Sequence, residues 1–201
     1  MAYRKTPATE ARKDARRRTI LDAAAGLFGS YGYHSTTVPM IVAESDSSVG
    51  SFYTHFRNKE DVFAAVLEAL GRKVTDLMDR ARVSQPDPLS QIPAAVESLF
   101  LFLAENPKDA RILIVESSGL SPRLEQARRA ILRQQAEQVC HSFELASVAI
   151  FVAVSAIAAR CLGGAVFESL YSWLEQSPID RPPVAEIARA VADYNSRAIR
   201  R

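Results

Sequence analysis

Residues 36–60 read Thr36-Thr37-Val38-Pro39-Met40-Ile41-Val42-Ala43-Glu44-Ser45-Asp46-Ser47-Ser48-Val49-Gly50-Ser51-Phe52-Tyr53-Thr54-His55-Phe56-Arg57-Asn58-Lys59-Glu60, and this run decides the fold. A threonine at 36 or 37 can cap a short helix ending at Glu44, with Pro39 in its first turn, where a missing N–H costs nothing. Ser45, Asp46 and Ser47 form a tight polar turn, and Asp46 tolerates a left-handed backbone. Ser48 caps a third helix over 49–55. Asn58 caps a fourth, with Lys59, Glu60 and Asp61 in its first turn. Two short helices around a tight turn have the layout of a helix-turn-helix, whose second helix enters the DNA major groove. Phe52 and Phe56, four apart, can anchor one face of that second helix. Ser48, Gly50, Ser51 and Thr54 leave the opposite face free of bulk, and Tyr53 and His55 can donate hydrogen bonds to phosphates. On pattern alone, a compact helical hairpin that never meets DNA fits as well.

Upstream, Ile20, Leu21, Ala24, Ala25, Leu27 and Phe28 recur at three- and four-residue spacing. They predict a first helix over about 14–31, closed by Gly32 as a left-handed cap. Downstream, the fourth helix spans 59–83 with Val62, Phe63, Val66, Leu67, Leu70, Val74, Leu77 and Met78 on one side. A linker at 85–88 follows. Break signals then separate helices over 89–105, 107–117, 122–143 and 145–176, and a loop at 177–183 precedes a last helix over 184–200. No segment of useful length has strand period. The chain reads as all-α, with about nine helices.

Its 201 residues suffice for a real core without staples. Apolar residues make up 48% and charged residues 24%, which excludes a disordered tail or a collagen-like repeat. Cys140 and Cys161 form no disulfide framework or zinc signature, and both are expected to be buried thiols in a reducing compartment. The start of the chain is polar and basic, with no apolar run to act as a secretory signal. The apolar stretch 145–159 is 15 residues long, short of the roughly 20 a membrane span needs. The reading is a soluble, cytoplasmic protein without a membrane partner. The net charge of +2 conceals an asymmetry: residues 1–18 carry +5 and the rest −3. A cationic arm ahead of a mildly acidic body suggests a polyanion partner, or else a solvated tail.

A search for catalysis finds no nucleophile elbow, phosphate loop or zinc-protease helix. Gly26, Gly29 and Gly32 lie on and just after a helix, so they are not a dinucleotide fingerprint. His34, His55 and His141 lack metal-ligand spacing. Glu116 follows an apolar run but has no catalytic partner in view. Neither an enzyme nor a cofactor or metal site is expected.

Residues 36–42 and 47–60, with Ile20-Leu21-Asp22-Ala23-Ala24, Leu27-Phe28 and Gly32-Tyr33 before them, resemble the N-terminal domain of TetR-type transcriptional regulators. The resemblance covers about 14–74. It implies a helix-turn-helix DNA-binding domain over that range, with the motif itself at 37–56, and a ligand-binding and dimerisation domain over 75–201. The DNA-contacting set it implies is Thr37, Pro39, Ser47, Ser48, Val49, Gly50, Ser51, Tyr53, Thr54, His55 and Lys59, with Lys59 meeting a phosphate at its helix N-terminus. This chain departs from the family pattern at three places. Ser45-Asp46-Ser47 replaces the usual Ala-Gly-Val turn, Val49 stands where a basic residue is frequent, and Pro39 replaces a residue that is often polar.

The same resemblance implies a ligand-responsive regulator, a repressor released from a palindromic operator by a small molecule and acting as a homodimer. A carrier with a vestigial helix-turn-helix is the alternative. Candidate pocket residues are Phe100, Leu103, Ile114, Phe143, Phe151 and Phe167, an apolar set suited to an apolar or amphipathic effector. Leu162, Val166, Leu170, Trp173 and Leu174, with Ile187, Val191 and Tyr194, form two apolar stripes expected to pair across a twofold axis. The fourth helix would act as a rod between DNA and pocket, with Gly71 as its expected bend.

Overall fold

The computed structural model describes residues 7–145, 152–177 and 179–199. Among them are nine α-helices and no strand: α1 (Pro7–Ser35), α2 (Val38–Glu44), α3 (Val49–His55), α4 (Lys59–Val83), α5 (Pro88–Glu105), α6 (Pro107–Ala110), α7 (Pro122–Leu145), α8 (Val152–Glu175) and α9 (Val184–Ile199). None of these is long and apolar enough to cross a membrane. α6 runs directly into a π-helical segment, Arg111–Glu116. That wider turn admits an extra residue per hydrogen-bonded ring.

α2, α3 and α4 begin at the anticipated caps. The Thr37, Ser48 and Asn58 side chains accept the N–H groups of Met40, Ser51 and Asp61 at 3.4, 3.1 and 2.8 Å. Each hydrogen bond satisfies one of the amides left open at a helix start. α1 is longer than its apolar period predicts. It begins at Pro7, whose missing N–H suits a first turn, and Glu10 sits near the positive end. The basic segment from Pro7 to Thr19 is therefore helix and not a tail, standing clear of a core that starts at Ile20. At the other end the helix kinks at Gly32, with φ +82°, a backbone region that residues with a Cβ avoid. α7 reaches Leu145, two residues beyond its expected end, and of the helix expected over 145–176 the described residues show Val152–Glu175 as α8, with 146–151 lying outside them.

α1 to α3 and the start of α4 enclose the first part of the core. Ile20, Ala24, Phe28, Ile41, Phe52, Phe56, Val62 and Phe63 are all buried there. Phe28 and Phe63 meet edge to face at 4.8 Å between ring centres, and Tyr33 joins them at 4.9 Å from Phe63. In the second part, α5 packs between α4 and α9, and α7 packs on α8 and α4. The two parts share one continuous apolar cluster.

Gly71 is not a bend. It lies inside α4, buried, and a Cβ built on it would sit 2.7 Å from Ile131 Cγ1 of α7. The absent side chain lets the two helices approach. We expect Gly71→Ala to lose about 2 kcal/mol to overpacking, the middle of the usual range, which exceeds the roughly 1 kcal/mol that alanine gains in a helix interior. Gly26→Ala in α1, where a Cβ meets nothing within 4 Å, should keep that gain. Urea unfolding of the two variants should move in opposite directions.

Candidate nucleic-acid interface

The turn between α2 and α3 is built from its own polar groups. Ser45 is buried, and its hydroxyl donates to Ile41 O at 2.7 Å. Asp46 takes φ +46°, the left-handed position anticipated for it. Ser47 donates to Ser45 O at 3.4 Å. Serine at 45 thus fits a buried site because its hydroxyl bonds back to the preceding turn of helix.

α3 then presents two faces. Phe52 and Phe56 are buried, while Ser48, Val49, Gly50, Tyr53 and Thr54 are exposed, Val49 and Tyr53 by more than half of their surface (57% and 55%). Ser51 and His55 lie at the margin. Thr54 donates its hydroxyl to Gly50 O at 2.9 Å, so it faces outward as a methyl and an acceptor. Val49 adds an exposed apolar group of the kind that contacts a thymine methyl. On α2, Thr37 and Pro39 are also exposed. The structure therefore brings the predicted contact set together on one surface, except for Lys59.

Lys59 points to the end of α1. Its Nζ donates to Tyr33 O at 2.7 Å and His34 O at 3.3 Å and lies 4.3 Å from the Tyr33 ring centre. Burial pulls its pKa down. Two of its three N–H groups are committed there, which leaves one for a phosphate. His55 also has a lowered pKa, first through burial and then through the positive charges of Lys13, Arg17 and Arg16. Arg17 stacks over Phe56 at 5.1 Å.

Two carboxylates tie this module to the rest of the chain. Glu116, at the end of the π segment, accepts Tyr33 N–H at 2.8 Å and Arg111 Nε at 3.0 Å, while Arg111 Nη1 donates to Ser30 O at 3.0 Å. Nearby, a Cβ on Gly29 would come within 2.5 Å of Lys108 Cβ, so α1 and α6 touch backbone to backbone. Asp61 accepts the Arg57 amide and guanidinium at 2.9–3.1 Å and is paired with Arg123 of α7. Beside it Ser121 donates to Glu60 at 2.6 Å. Glu116, which sequence reading left without a role, is thus a junction residue. Periodicity carries no sign of a bond to an amide 83 positions away.

The remaining candidates separate. Phe100, Leu103 and Ile114 are buried in the core and Phe167 packs half-buried against it. Phe151 and the side chain of Phe143 lie outside the described residues. Leu162, Val166, Leu170 and Val191 are buried within the protomer itself, and Leu174 and Ile187 pack against the same core. Trp173 is engaged by the α8–α9 loop, donating Nε1–H to Pro182 O at 3.0 Å under the Arg181 guanidinium. Of the expected stripe, Tyr194 faces outward at 60% exposure. The outward face of α8 is a different stripe, Ile157, Cys161, Gly164, Glu168 and Tyr171. Cys161 is exposed, contrary to the expectation of a buried thiol. The side chain of Cys140 is outside the described residues.

A capped two-helix turn whose outer face is small or polar apart from Val49 and Tyr53 has the geometry of a helix-turn-helix. Residues 20–66 match the family described as bacterial regulatory proteins, tetR family. Across the whole chain, the fold is similar to that of the fatty acid degradation regulator FadR from Bacillus halodurans, at 18% identity and TM-score 0.79, over 98% of this chain and 99% of that one. The transcriptional regulator FadR from Bacillus subtilis, solved in complex with stearoyl-CoA, aligns at 19% identity and TM-score 0.78, over 90% and 98%. SmeT, in a triclosan complex, aligns at 26% identity and TM-score 0.75, over 92% and 91%. Residues 20–66 thus carry a tetR-type helix-turn-helix domain, and the helical fold that follows it is similar to that of these solved regulators.

Asp61 yields a test of the junction. Its hydrogen bonds from Arg57, aided by Arg123 and opposed by burial, hold its pKa well below the ordinary carboxylate range. A depressed folded pKa contributes stability above the unfolded value, near 4, that is lost as pH falls toward the folded one. Thermal unfolding should therefore occur at lower temperature on acidification below about pH 4, and Asp61→Asn should be less stable at neutral pH and less sensitive to acid.

Proposed function

We propose that this protein is a cytoplasmic repressor that binds a near-palindromic operator as a homodimer and releases it when a small molecule occupies the C-terminal domain. The observation that carries the DNA-binding half is the exposed face of α3, held by the buried Phe52 and Phe56 and capped by Ser48. Thr37, Pro39, Ser47 and Lys59 flank it as backbone contacts. Val49, Gly50, Ser51, Tyr53, Thr54 and His55 read or approach the groove. A twofold dimer places two such helices about 34 Å apart, one turn of B-DNA, or a multiple of that. The outward stripe Ile157–Tyr171 of α8, together with Tyr194 of α9, is the face we assign to the partner. The stripe of Leu162, Val166 and Leu170 then supports it from behind.

The effector is read as apolar or amphipathic. Phe100, Leu103, Ile114 and Phe167 supply apolar walls, and stearoyl-CoA and triclosan in the two related complexes are of that chemistry. An effector that shifts the π segment or the start of α7 acts directly on Glu116 at the end of α1 and on Asp61 at the start of α4. Binding thereby changes the posture of α3. Linkage requires operator DNA to weaken effector binding by the same factor as effector weakens DNA binding.

The DNA half is tested with duplexes tiling the DNA beside the coding region, read by anisotropy. Tyr53→Phe should lose about 1 kcal/mol of operator affinity, the net value of one hydrogen bond, with thermal stability unchanged. Gly50→Leu should lose more by holding α3 off the groove. Full affinity in both variants rules this face out. For the sensor half, titrating stearoyl-CoA and triclosan with and without the bound duplex should give weaker binding in its presence for whichever ligand is recognised. Equal affinity in the two titrations defeats the induction mechanism and leaves DNA binding standing.

A further inference from the structure

The helical part of α1 ahead of the core is not absorbed by the reading above. Thr9, Arg12, Lys13, Arg16 and Thr19 recur at intervals of three, one, three and three, which places them on one face of that helix. They line a cleft of about 540 Å³ whose other wall carries Ser51 of α3. No acidic residue lines it. Glu10 and Asp14, the two carboxylates of this segment, sit on the opposite face by the same helical geometry, together with Arg18. Three cations, and no carboxylate, thus line the cleft beside α3.

The wall is held in place. Arg16 Nη1 donates to Asp46 O at 3.2 Å, bridging α1 to the turn between α2 and α3. Arg12, Lys13 and Arg16 are otherwise exposed. The pKa of His55, beside Ser51 on α3, is lowered first by burial and then by the positive charges of Lys13, Arg17 and Arg16, with Asp14 opposing them. A flexible basic tail would have to be ordered on binding. A preformed helix fixed to the turn loses far less conformational entropy.

We infer that the cleft between the N-terminal half of α1 and α3 seats the sugar–phosphate backbone of duplex DNA, with Arg12, Lys13 and Arg16 on one side of the strand and Ser51 on the other. Charge complementarity and continuity with the exposed face of α3 identify the occupant. The cleft compensates for Val49, which leaves the recognition helix without the cation common at that position. It reads no sequence, so it serves operator and non-specific DNA alike. The inference rests on the DNA-binding reading above and adds a phosphate-tracking wall to it.

The test uses the full chain and a mixed-sequence duplex of about 30 bp, with affinity measured from about 50 to 200 mM salt, where each phosphate contact adds about 0.9 to the slope of log affinity against log salt. Arg12→Ala and Lys13→Ala should each reduce that slope by about 0.9, whereas Arg18→Ala, with the same change in net charge on the far face, should leave it near the wild-type value. Arg12→Lys should retain the wild-type slope, and circular dichroism should show all four variants equally helical. Equal loss in Arg12→Ala and Arg18→Ala, or no loss in either Arg12→Ala or Lys13→Ala, overturns the cleft as a backbone seat. A wild-type chain that binds no duplex at low salt fails the DNA-binding reading itself, a result distinct from those two.

Discussion

Where α1 ends, the backbone turns at Gly32 with φ +82° and offers its next amide, from Tyr33, to the Glu116 carboxylate. Most of the molecule's organisation converges on this one hydrogen bond and its neighbours. The carbonyls released by the kink do not go unpaired: Thr36 donates to Gly32 O at 2.8 Å, and Lys59 donates to Tyr33 O. The Tyr33 ring completes the aromatic contact with Phe28 and Phe63. Buried backbone groups must find partners. Here they come from α4, from the segment entering α2 and from the π segment. The angle at which α2 and α3 leave α1 is therefore set by side chains from both domains.

That arrangement ties the helix-turn-helix region to the rest of the chain. Glu116 is placed by the π turn, an uncommon form of helix. The Asp61–Arg123 pair and the Glu60–Ser121 hydrogen bond form a second tie at the start of α4. Two sets of short polar contacts thus join the helix-turn-helix region to the π segment and α7, and the middle of α4 lies close against α7 at Gly71.

The departures of the turn and of α3 from the family pattern fit one picture. Ser45 replaces an apolar packing residue with a hydroxyl that satisfies itself on Ile41, and Asp46 takes the backbone conformation usually given to glycine. Val49 leaves the exposed face of α3 without a lysine or arginine. Positive charge is instead concentrated on α1, across the cleft.

Sequence alone determined the local grammar: the caps Thr37, Ser48 and Asn58, the span of α4, the left-handed Asp46 and the inward turn of Phe52 and Phe56. Each depends on groups within four residues of one another, so spacing and side-chain chemistry specify it. The outward face of α3 was legible for the same reason. Tertiary structure decided the rest. An apolar stripe looks the same whether it packs within a protomer or against a partner, and Leu162, Val166 and Leu170 proved to face inward. Lys59 and Glu116 were drawn to backbone groups 26 and 83 residues away, and Gly71 was needed for the approach of α7. The basic segment joined α1 although its charged residues show no apolar period. Long-range contact, not local preference, sets which face a helix buries and which partner a charge finds.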